Sequence, residues 1–362
     1  MLHKPILIMA GGTGGHIYPA LAVADYLRAE GFSLFWLGTS NGLEARVVPE
    51  KGYQLLTINI RALRGKGLMK WIQAPVVICM GIIQALLILM HIKPAVVLGM
   101  GGFVSGPGGL AAWIMRIPLC IHEQNAIAGM TNRLLAPLAN LVMEAFPDTF
   151  ADRFNAQHTG NPIRAEIRNY GKMQKPAASG MKNVLHLLVL GGSQGARKLN
   201  QMIPETLAII PEHIQIEIRH QTGESLYAET ESIYRNLKVV GKLQPYIENM
   251  AEAYAWADIV ICRSGAITVA ELSAAGIPSI LVPYPYAVDD HQTANARFLS
   301  DAGAAILIQE KDLTKECLCR LLCDFFESRW NLETMAKCAR KMDKPDATQI
   351  IATLCLEVAY AG

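Results

Sequence analysis

"PILIMAGGTGG", Pro5 to Gly15, and "HLLVLGGSQG", His186 to Gly195, carry the reading of the fold. Each is an apolar run of strand length that ends in a glycine turn. Each then passes into a helix-like segment, "YPALAVADYLRAEG" in the first case and "ARKLNQMIPETL" in the second. "PAVVLGMGG" into "GGLAAWIMR" and "ADIVICRSGA" into "ITVAELSAAG" repeat the pattern. Strands that alternate with helices predict parallel sheets covered by helices, an α/β architecture. The two opening stretches also share the order strand, Gly-Gly-Thr/Ser-x-Gly, helix, about 180 residues apart. Two similar doubly wound domains explain that repeat better than one large sheet, and 362 residues suit two domains at roughly 150 residues each. Gly160 and Pro162 in "HTGNPIRAEIR" punctuate the chain as a linker does. The expected division is 1–161 and 162–344, with a last helix, about 345–362, packing back on the first domain.

Composition narrows the partners. Basic and acidic residues number 33 and 31, a net charge of +2, which argues against nucleic acid. The eight cysteines follow no CxxC pattern and imply a reducing compartment. Cys317, Cys319 and Cys323 lack an adjoining histidine and read as buried helix cysteines rather than metal ligands. No signal peptide is expected, since the short apolar stretch at the start runs into a glycine turn rather than a cleavage site. Hydrophobic residues make up 51% and mean hydropathy is +0.24, high for a chain whose charges are spread along its length.

Part of that greasiness is concentrated in "WIQAPVVICMGIIQALLILM", Trp71 to Met90. Pro75 suits the first turn of a helix and Lys93-Pro94 ends it. That leaves roughly 17 residues or ~25 Å, short of the ~30 Å hydrocarbon core. "PILIMAGG" before the run and "PAVVLGMGG" after it read as strands of one sheet, so a membrane-spanning helix is not expected. Val76 to Ile92 is nonetheless apolar nearly all round, with Gln84 and His91 the exceptions, and its outer face needs a partner. Lys51 to His122 holds seven Lys/Arg and no Asp or Glu. The expected partner is an anionic membrane surface, met by Arg64, Lys66, Lys70, Trp71, Ile72, Val76, Met80 and Ile83. A dimer interface or a buried helix is the alternative.

Three strand-to-helix turns are rich in glycine: "GGTGGH" (Gly11 to His16), "GMGGFVSGPGG" (Gly99 to Gly109) and "GGSQGAR" (Gly191 to Arg197). Glycine lets backbone N–H groups approach an anion closely, and the helix N-terminus adds a favourable dipole, so phosphate is the natural ligand. None fits GxGxxG in register and no GxxxxGK[ST] element is present, which demotes nicotinamide dinucleotides and P-loop hydrolysis. The loops suggest two phosphate-bearing ligands, one per domain, facing each other across a cleft. In "SGAITVAELSAAGIPSILVPYP" a helix is expected from about Ala266, with Glu271 in or near its first turn. Thr268 and Glu271 have capping-box spacing; the functional alternative gives Glu271 to a ribose diol. "DDHQTANA", Asp289 to Ala296, offers polar side chains suited to sugar hydroxyls at the same edge.

These residues closely resemble the MurG family of bacterial peptidoglycan transferases. "GGTGGHIYPALAVA", "GGFVSGPGG", "HEQNAIAGMTN", "GNPIR", "GGSQGAR", "AYAWADIVICRSGAITVAEL" and "DDHQTANA" occur in that order over nearly the whole chain. The resemblance implies the GT-B fold, two Rossmann-like doubly wound domains about a central cleft. It implies UDP-N-acetylglucosamine in the second domain, with Glu271 on the ribose and Ser193 and neighbouring amides on the diphosphate. Arg164 and Ile247 would lie near the uracil. Asn125, Ala266 and the His291-Gln292 pair would contact the sugar, with Ile267, Thr268, Val269 and Ala270 completing the stretch that carries Glu271. The lipid pyrophosphate would sit on Thr13, Gly14 and Gly15 and on the second loop, with Gly101, Gly102, Ser105 and Gly106. "HEQN" continues here with Ala126 where some relatives have glycine, a change not expected to alter the chemistry.

The implied reaction is transfer of N-acetylglucosamine to undecaprenyl-pyrophosphoryl-muramyl-pentapeptide, at the cytoplasmic face of the cell (inner) membrane beside other cell-wall synthesis proteins. It is an inverting displacement by the acceptor 4-hydroxyl. A general base should help remove the hydroxyl proton, and histidine has a suitable pKa. His16, at the tip of the first loop, is the candidate, its alternative role being a phosphate donor or loop hydrogen bond; Glu123 and His122 are fallbacks. No DxD-like metal motif is evident, so no obligatory metal or cofactor is expected, a divalent cation not being ruled out. Rival readings are epimerisation of the same donor, transfer to another membrane lipid, and a non-enzymatic binding protein; the last leaves the loops unexplained.

Overall fold

A computed structural model describes residues 4–60, 68–172, 184–192 and 195–360. Arg64, Lys66 and Ser193, expected in the sites, lie outside these residues, as do the side chains of Lys70, Trp71 and Ile72. The chain divides into two compact units, residues 1–164 with 344–362, and residues 165–343. The division falls after Arg164 rather than at Asn161, which puts Arg164 in the first unit.

The first unit runs β1 (Ile6–Met9), α1 (Gly14–Ala29), β2 (Leu34–Gly38), α2 (Leu43–Glu50), β3 (Gln54–Thr57), α3 (Leu68–Ile92), β4 (Val96–Gly99), α4 (Ser105–Ile114), β5 (Leu119–Glu123), α5 (Met130–Leu135), β6 (Leu141–Glu144) and β7 (Gln157–His158). Among the described residues it holds a seven-stranded sheet in the order β3-β2-β1-β4-β5-β6-β7, parallel throughout. Strands buried on both faces favour near-continuous apolar runs, and β1 is Ile-Leu-Ile-Met with all four buried. Their alternation feeds two cores. Ile6 and Ile8 pack with Ile17, Leu21 and Ala24 of α1; Leu7 and Met9 pack with Ala85 and Leu89 of α3 and with Ala111 and Ala112 of α4.

The second unit runs α6 (Ala165–Lys172), β8 (Leu185–Leu190), α7 (Arg197–Leu207), β9 (Ile216–Gln221), α8 (Tyr227–Leu237), β10 (Lys242–Gln244), α9 (Met250–Trp256), β11 (Ile259–Cys262), α10 (Ala266–Ala275), β12 (Ser279–Leu281), α11 (His291–Ser300), β13 (Ala305–Leu307), α12 (Lys315–Glu327) and α13 (Arg329–Lys341). Among the described residues its six-stranded parallel sheet has the order β10-β9-β8-β11-β12-β13. Both sheets therefore reverse direction at a switch point, between β1 and β4 in one and between β8 and β11 in the other. The last helix, α14 (Ala347–Tyr360), belongs to the first unit, where Ile351, Ala352 and Cys355 are buried in the core beside α1. Cys317, Cys319 and Cys323 lie half-buried on α12, with Cys317 packed against the second unit's core.

Helix α3 differs from its expected form. It begins at Leu68, so Pro75 lies inside it rather than in its first turn, and its 25 residues extend ~37 Å. By length and apolar composition Pro75–Ile92 is long enough to cross a membrane. Sheet connectivity decides against that use: β3 before the helix and β4 after it belong to one sheet, so both ends of α3 return to the same body. The inner stripe of Gly81, Ala85 and Leu89 is buried, Gly81 facing Pro107 of α4 and Ala85 and Leu89 packed in the core with Leu7 and Met9 of β1. The opposite stripe, Val76, Met80, Ile83, Leu87 and Met90, is 49–62% exposed. Spacings of three and four residues put those five side chains on one face. Gln84 is not on it; its Oε1 accepts a hydrogen bond from the Asn59 N–H at 2.7 Å.

The two faces give a direct check. Leu89→Ala, at a site 1% exposed, should cost about 2–5 kcal/mol in urea unfolding, whereas Leu87→Ala, at a site 58% exposed, should stay within about 0.5 kcal/mol. Equal losses from the two variants would contradict this orientation of α3.

Candidate active site

Residues at the carboxyl ends of β1 and β4 meet at the switch point of the first sheet. Gly101 and Gly102 have φ of +90° and +82°, a region that L side chains rarely adopt. A Cβ on Gly102 would stand 2.2 Å from the Gly11 carbonyl oxygen, so backbone lies directly on backbone. Beneath them Glu44, fully buried in α2, accepts from the Gly12 N–H at 3.1 Å, the Thr39 N–H at 3.1 Å and the Thr39 hydroxyl at 2.7 Å. Glu44 thus ties the first loop to the end of β2. Thr13 is the N-cap of α1 without a side-chain cap bond, and Gly14 and Gly15 are its first two residues rather than loop positions. Helix-terminal N–H groups and a cap hydroxyl that makes no cap hydrogen bond among the described residues suit an anion.

Ser105, expected to meet phosphate, is turned inward: its hydroxyl is buried and donates to the Gly101 carbonyl at 2.8 Å and the Met9 carbonyl at 3.2 Å. Its contribution is to hold the loop's shape. Gly106 lies in the first turn of α4 beside Thr131.

His16 is the third residue of α1, not a loop tip, and is partly exposed. Its Nδ1 lies 2.8 Å from Gln124 Oε1. The fallback bases are placed differently. Glu123 is 2% exposed, and its carboxylate accepts from the Asn125 N–H and Nδ2, the Gly129 N–H and Asn132 Nδ2 at 2.9–3.1 Å. A carboxylate so satisfied is a loop anchor, and Asn125 is held against it. His122 is fully buried; Nε2 lies 3.0 Å from the Gly160 carbonyl and Nδ1 3.0 Å from Gln124 Nε2. Burial pushes its pKa down to about 4. Arg164 stacks over the Tyr18 ring at 5.9 Å.

The second unit repeats the plan. Gly191 and Gly195, after β8, pack on the backbone of Gln221 and Thr222. Gln221 Oε1 accepts from the Ile247 N–H at 3.1 Å, which fixes the segment carrying Ile247. After β11, Ser264 donates to the Gln292 carbonyl at 2.8 Å, and Asn295 Nδ2 donates to the Ser264 carbonyl at 3.1 Å, joining α11 to the start of α10. Gln292 Oε1 accepts from the Tyr284 N–H at 2.9 Å, while His291 Nδ1 sits 2.7 Å from the Val288 carbonyl. Gly265 is the N-cap of α10, so Thr268 is the third helical residue and Glu271 the sixth, which rules out the capping box. Glu271 is 6% exposed and its Oε2 accepts from the Tyr254 hydroxyl at 3.0 Å. Ala266, Ile267, Thr268 and Ala270 lie along the first turns, but Val269 is fully buried in the core.

Sequence reasoning passed over Glu44, Tyr254 and Gln124. Gln124 stands inside "HEQN" between neighbours already singled out, and Glu44 is the second residue of α2, with no motif around it to mark it.

Two doubly wound units with glycine loops at their switch points have the layout of two-domain GT-B glycosyltransferases. The chain matches the glycosyltransferase family 28 N-terminal domain over residues 6–144 and the family 28 C-terminal domain over residues 186–351. It is 52% identical over 354 residues to the UDP-N-acetylglucosamine–N-acetylmuramyl-(pentapeptide) pyrophosphoryl-undecaprenol N-acetylglucosamine transferase of Nitrosococcus oceani, covering 98% of each chain. The protein of the same name from Methylococcus capsulatus is 49% identical over 358 residues, 99% of each. The crystal structure of Acinetobacter baumannii MurG aligns with a TM-score of 0.82 at 38% identity, over 98% of this chain and 99% of that one. This chain belongs to the MurG family within glycosyltransferase family 28.

The buried His122 sets a pH dependence. Its folded pKa of about 4 lies below the ordinary imidazole value of about 6.5, so unfolding takes up a proton between those two values. The stability this neutral imidazole confers is complete above pH ~6.5 and is lost as pH falls toward ~4. His122→Gln should therefore reduce the loss of unfolding free energy between about pH 7.5 and about pH 5 by roughly 2 kcal/mol relative to the parent. Parallel pH profiles for the two proteins would contradict a neutral buried imidazole.

Proposed function

We propose that the protein transfers N-acetylglucosamine from UDP-N-acetylglucosamine to the 4-hydroxyl of undecaprenyl-pyrophosphoryl-N-acetylmuramyl-pentapeptide, with inversion at the anomeric carbon. The observation that carries this reading is likeness over 98–99% of the chain to two transferases whose names state both substrates. The switch-point loops supply the physical basis. In the second unit, the N-terminus of α10 and the amides after β8 meet the UDP diphosphate, and Glu271 meets the ribose. In the first, Thr13 and the start of α1 meet the lipid pyrophosphate. Charge that develops on departing UDP is stabilised by preorganised amides and helix dipoles. The reading requires no metal, and turnover should survive chelation with EDTA.

His16 acts as general base. Of the three candidates, Glu123 has its carboxylate fully occupied and His122 is buried with both nitrogens engaged. His16 has a nitrogen, Nε2, without a protein hydrogen bond among the described residues. Epimerisation of the same donor would use neither an acceptor nor an apolar surface helix, and no observation favours it.

Purified protein should release UDP from UDP-N-acetylglucosamine only when the polyprenyl-pyrophosphoryl-muramyl-peptide is present, with a disaccharide product by mass. Acceptor-independent release would point to another reaction. His16→Ala should lower kcat by roughly 10²–10⁴-fold with little change in donor KM, the range expected for a lost general base; a loss confined to KM would overturn the assignment.

The exposed stripe of α3 rests on the cytoplasmic leaflet of an anionic membrane, with the protein peripheral. Met80 and Ile83, 51% and 57% exposed, are central to that stripe. Anionic vesicles at low salt should cosediment the protein, and Met80→Glu with Ile83→Glu should abolish this without changing the unfolding midpoint. A double variant that still cosediments would put the membrane surface elsewhere.

A further inference from the structure

A hydrogen-bonded row runs from a backbone carbonyl to the candidate base: Gly160 O, His122, Gln124, His16. Its polarity follows from its first member. A carbonyl oxygen can only accept, so the His122 nitrogen 3.0 Å away, Nε2, carries the hydrogen. His122 is buried and neutral, with its pKa at about 4, so its other nitrogen, Nδ1, holds a lone pair. That lone pair requires a donor opposite it, which fixes the Gln124 amide with Nε2 toward His122, where it also reaches the His122 carbonyl at 3.2 Å. Oε1 then faces His16, and an oxygen acceptor 2.8 Å from Nδ1 requires hydrogen on Nδ1. A neutral His16 has its lone pair on Nε2.

We propose that Gln124 and His122 are positioning residues that hold His16 as its Nδ1–H tautomer, with Nε2 bare to take the acceptor's proton. The inference rests on the reading of His16 as general base and deepens it. The row is braced along its length. Asn132 Nδ2 donates to the His122 carbonyl at 3.1 Å and Asn161 Nδ2 to the Gln124 carbonyl at 2.9 Å. Gly160, whose carbonyl starts the row, has φ +80° and would put a Cβ 2.4 Å from Lys344 Cβ. At the other end, a Cβ on Gly101 would stand 2.6 Å from His16 Nδ1 and 3.4 Å from Gln124 Oε1, so that glycine makes room for the ring and the amide together. The hydrogen bond made by one ring nitrogen decides which form of an imidazole is present, and a base held in the wrong tautomer cannot accept the proton.

The test is a long-range ¹H–¹⁵N spectrum of the full-length protein labelled with ¹⁵N-histidine, taken well above the ordinary imidazole pKa of about 6.5. His16→Gln and His122→Gln assign the signals. The expected pattern is protonated Nδ1 and bare Nε2 for His16, and the reverse for His122. Gln124→Met, which keeps the volume and removes the acceptor, should move His16 toward the other tautomer. It should also lower kcat roughly 10–100-fold, less than loss of the base itself, with donor KM unchanged. A wild-type His16 protonated on Nε2, or Gln124→Met that leaves both tautomer and kcat unchanged, overturns the inference. The underlying assignment fails separately: the expected tautomer with a fully active His16→Ala leaves the row intact and removes His16 as the base.

Discussion

Contact of backbone on backbone at Gly11 and Gly102 is the constraint on which the first unit's site depends. Two strands that lie side by side, β1 and β4, send their helices to opposite faces of the sheet, and their connecting loops must share one small space. Only residues without a Cβ fit there, and the positive φ at Gly101 and Gly102 turns the second loop across the first. Everything polar nearby is arranged about that crossing. Glu44 supports the first loop from below, the Ser105 hydroxyl closes the second, and His16 leaves the first turn of α1 into the gap that Gly101 keeps open.

The architecture was largely legible in the sequence because strands buried on both faces, such as β1, β4 and β11, are apolar at every position, and a glycine marks the carboxyl end of β1, β4 and β8. That is why "PILIMAGG" and "HLLVLGG" announced β1 and β8, and why their likeness announced two units. What escaped were the features set by tertiary contact. Nothing local reveals that the Ser105 hydroxyl would be spent on Gly101 and Met9, or that the Glu123 carboxylate would be filled by a turn six residues ahead. The Thr268 and Glu271 spacing has the form of a capping box, but the chain enters α10 at Gly265, and the spacing falls one turn too late. Gln124 drew no attention because a glutamine has meaning only through what its two ends face, here two histidines brought together by β5 and α1.

Helix α3 shows the same division. Its existence follows from composition, but its start does not, because Pro75 lies inside the helix rather than in its first turn. Its apolar character all round has two separate causes. Gly81, Ala85 and Leu89 are apolar because the sheet core requires it; Val76, Met80, Ile83, Leu87 and Met90 face outward, where folding alone requires nothing of the kind. That stripe is the surface proposed to rest on a membrane.

The central claim is that the crossed glycine loops of the first unit form the acceptor's phosphate site, separate from the donor site of the second unit. Gly102→Ala tests it most directly, because the added Cβ meets the Gly11 carbonyl at a positive φ. The account predicts that kcat/KM for the polyprenyl-pyrophosphoryl acceptor falls tenfold or more, about 1.4 kcal/mol of lost transition-state stabilisation, while calorimetric binding of UDP-N-acetylglucosamine is unchanged. Wild-type acceptor turnover in that variant, or a loss of donor binding instead, would contradict it.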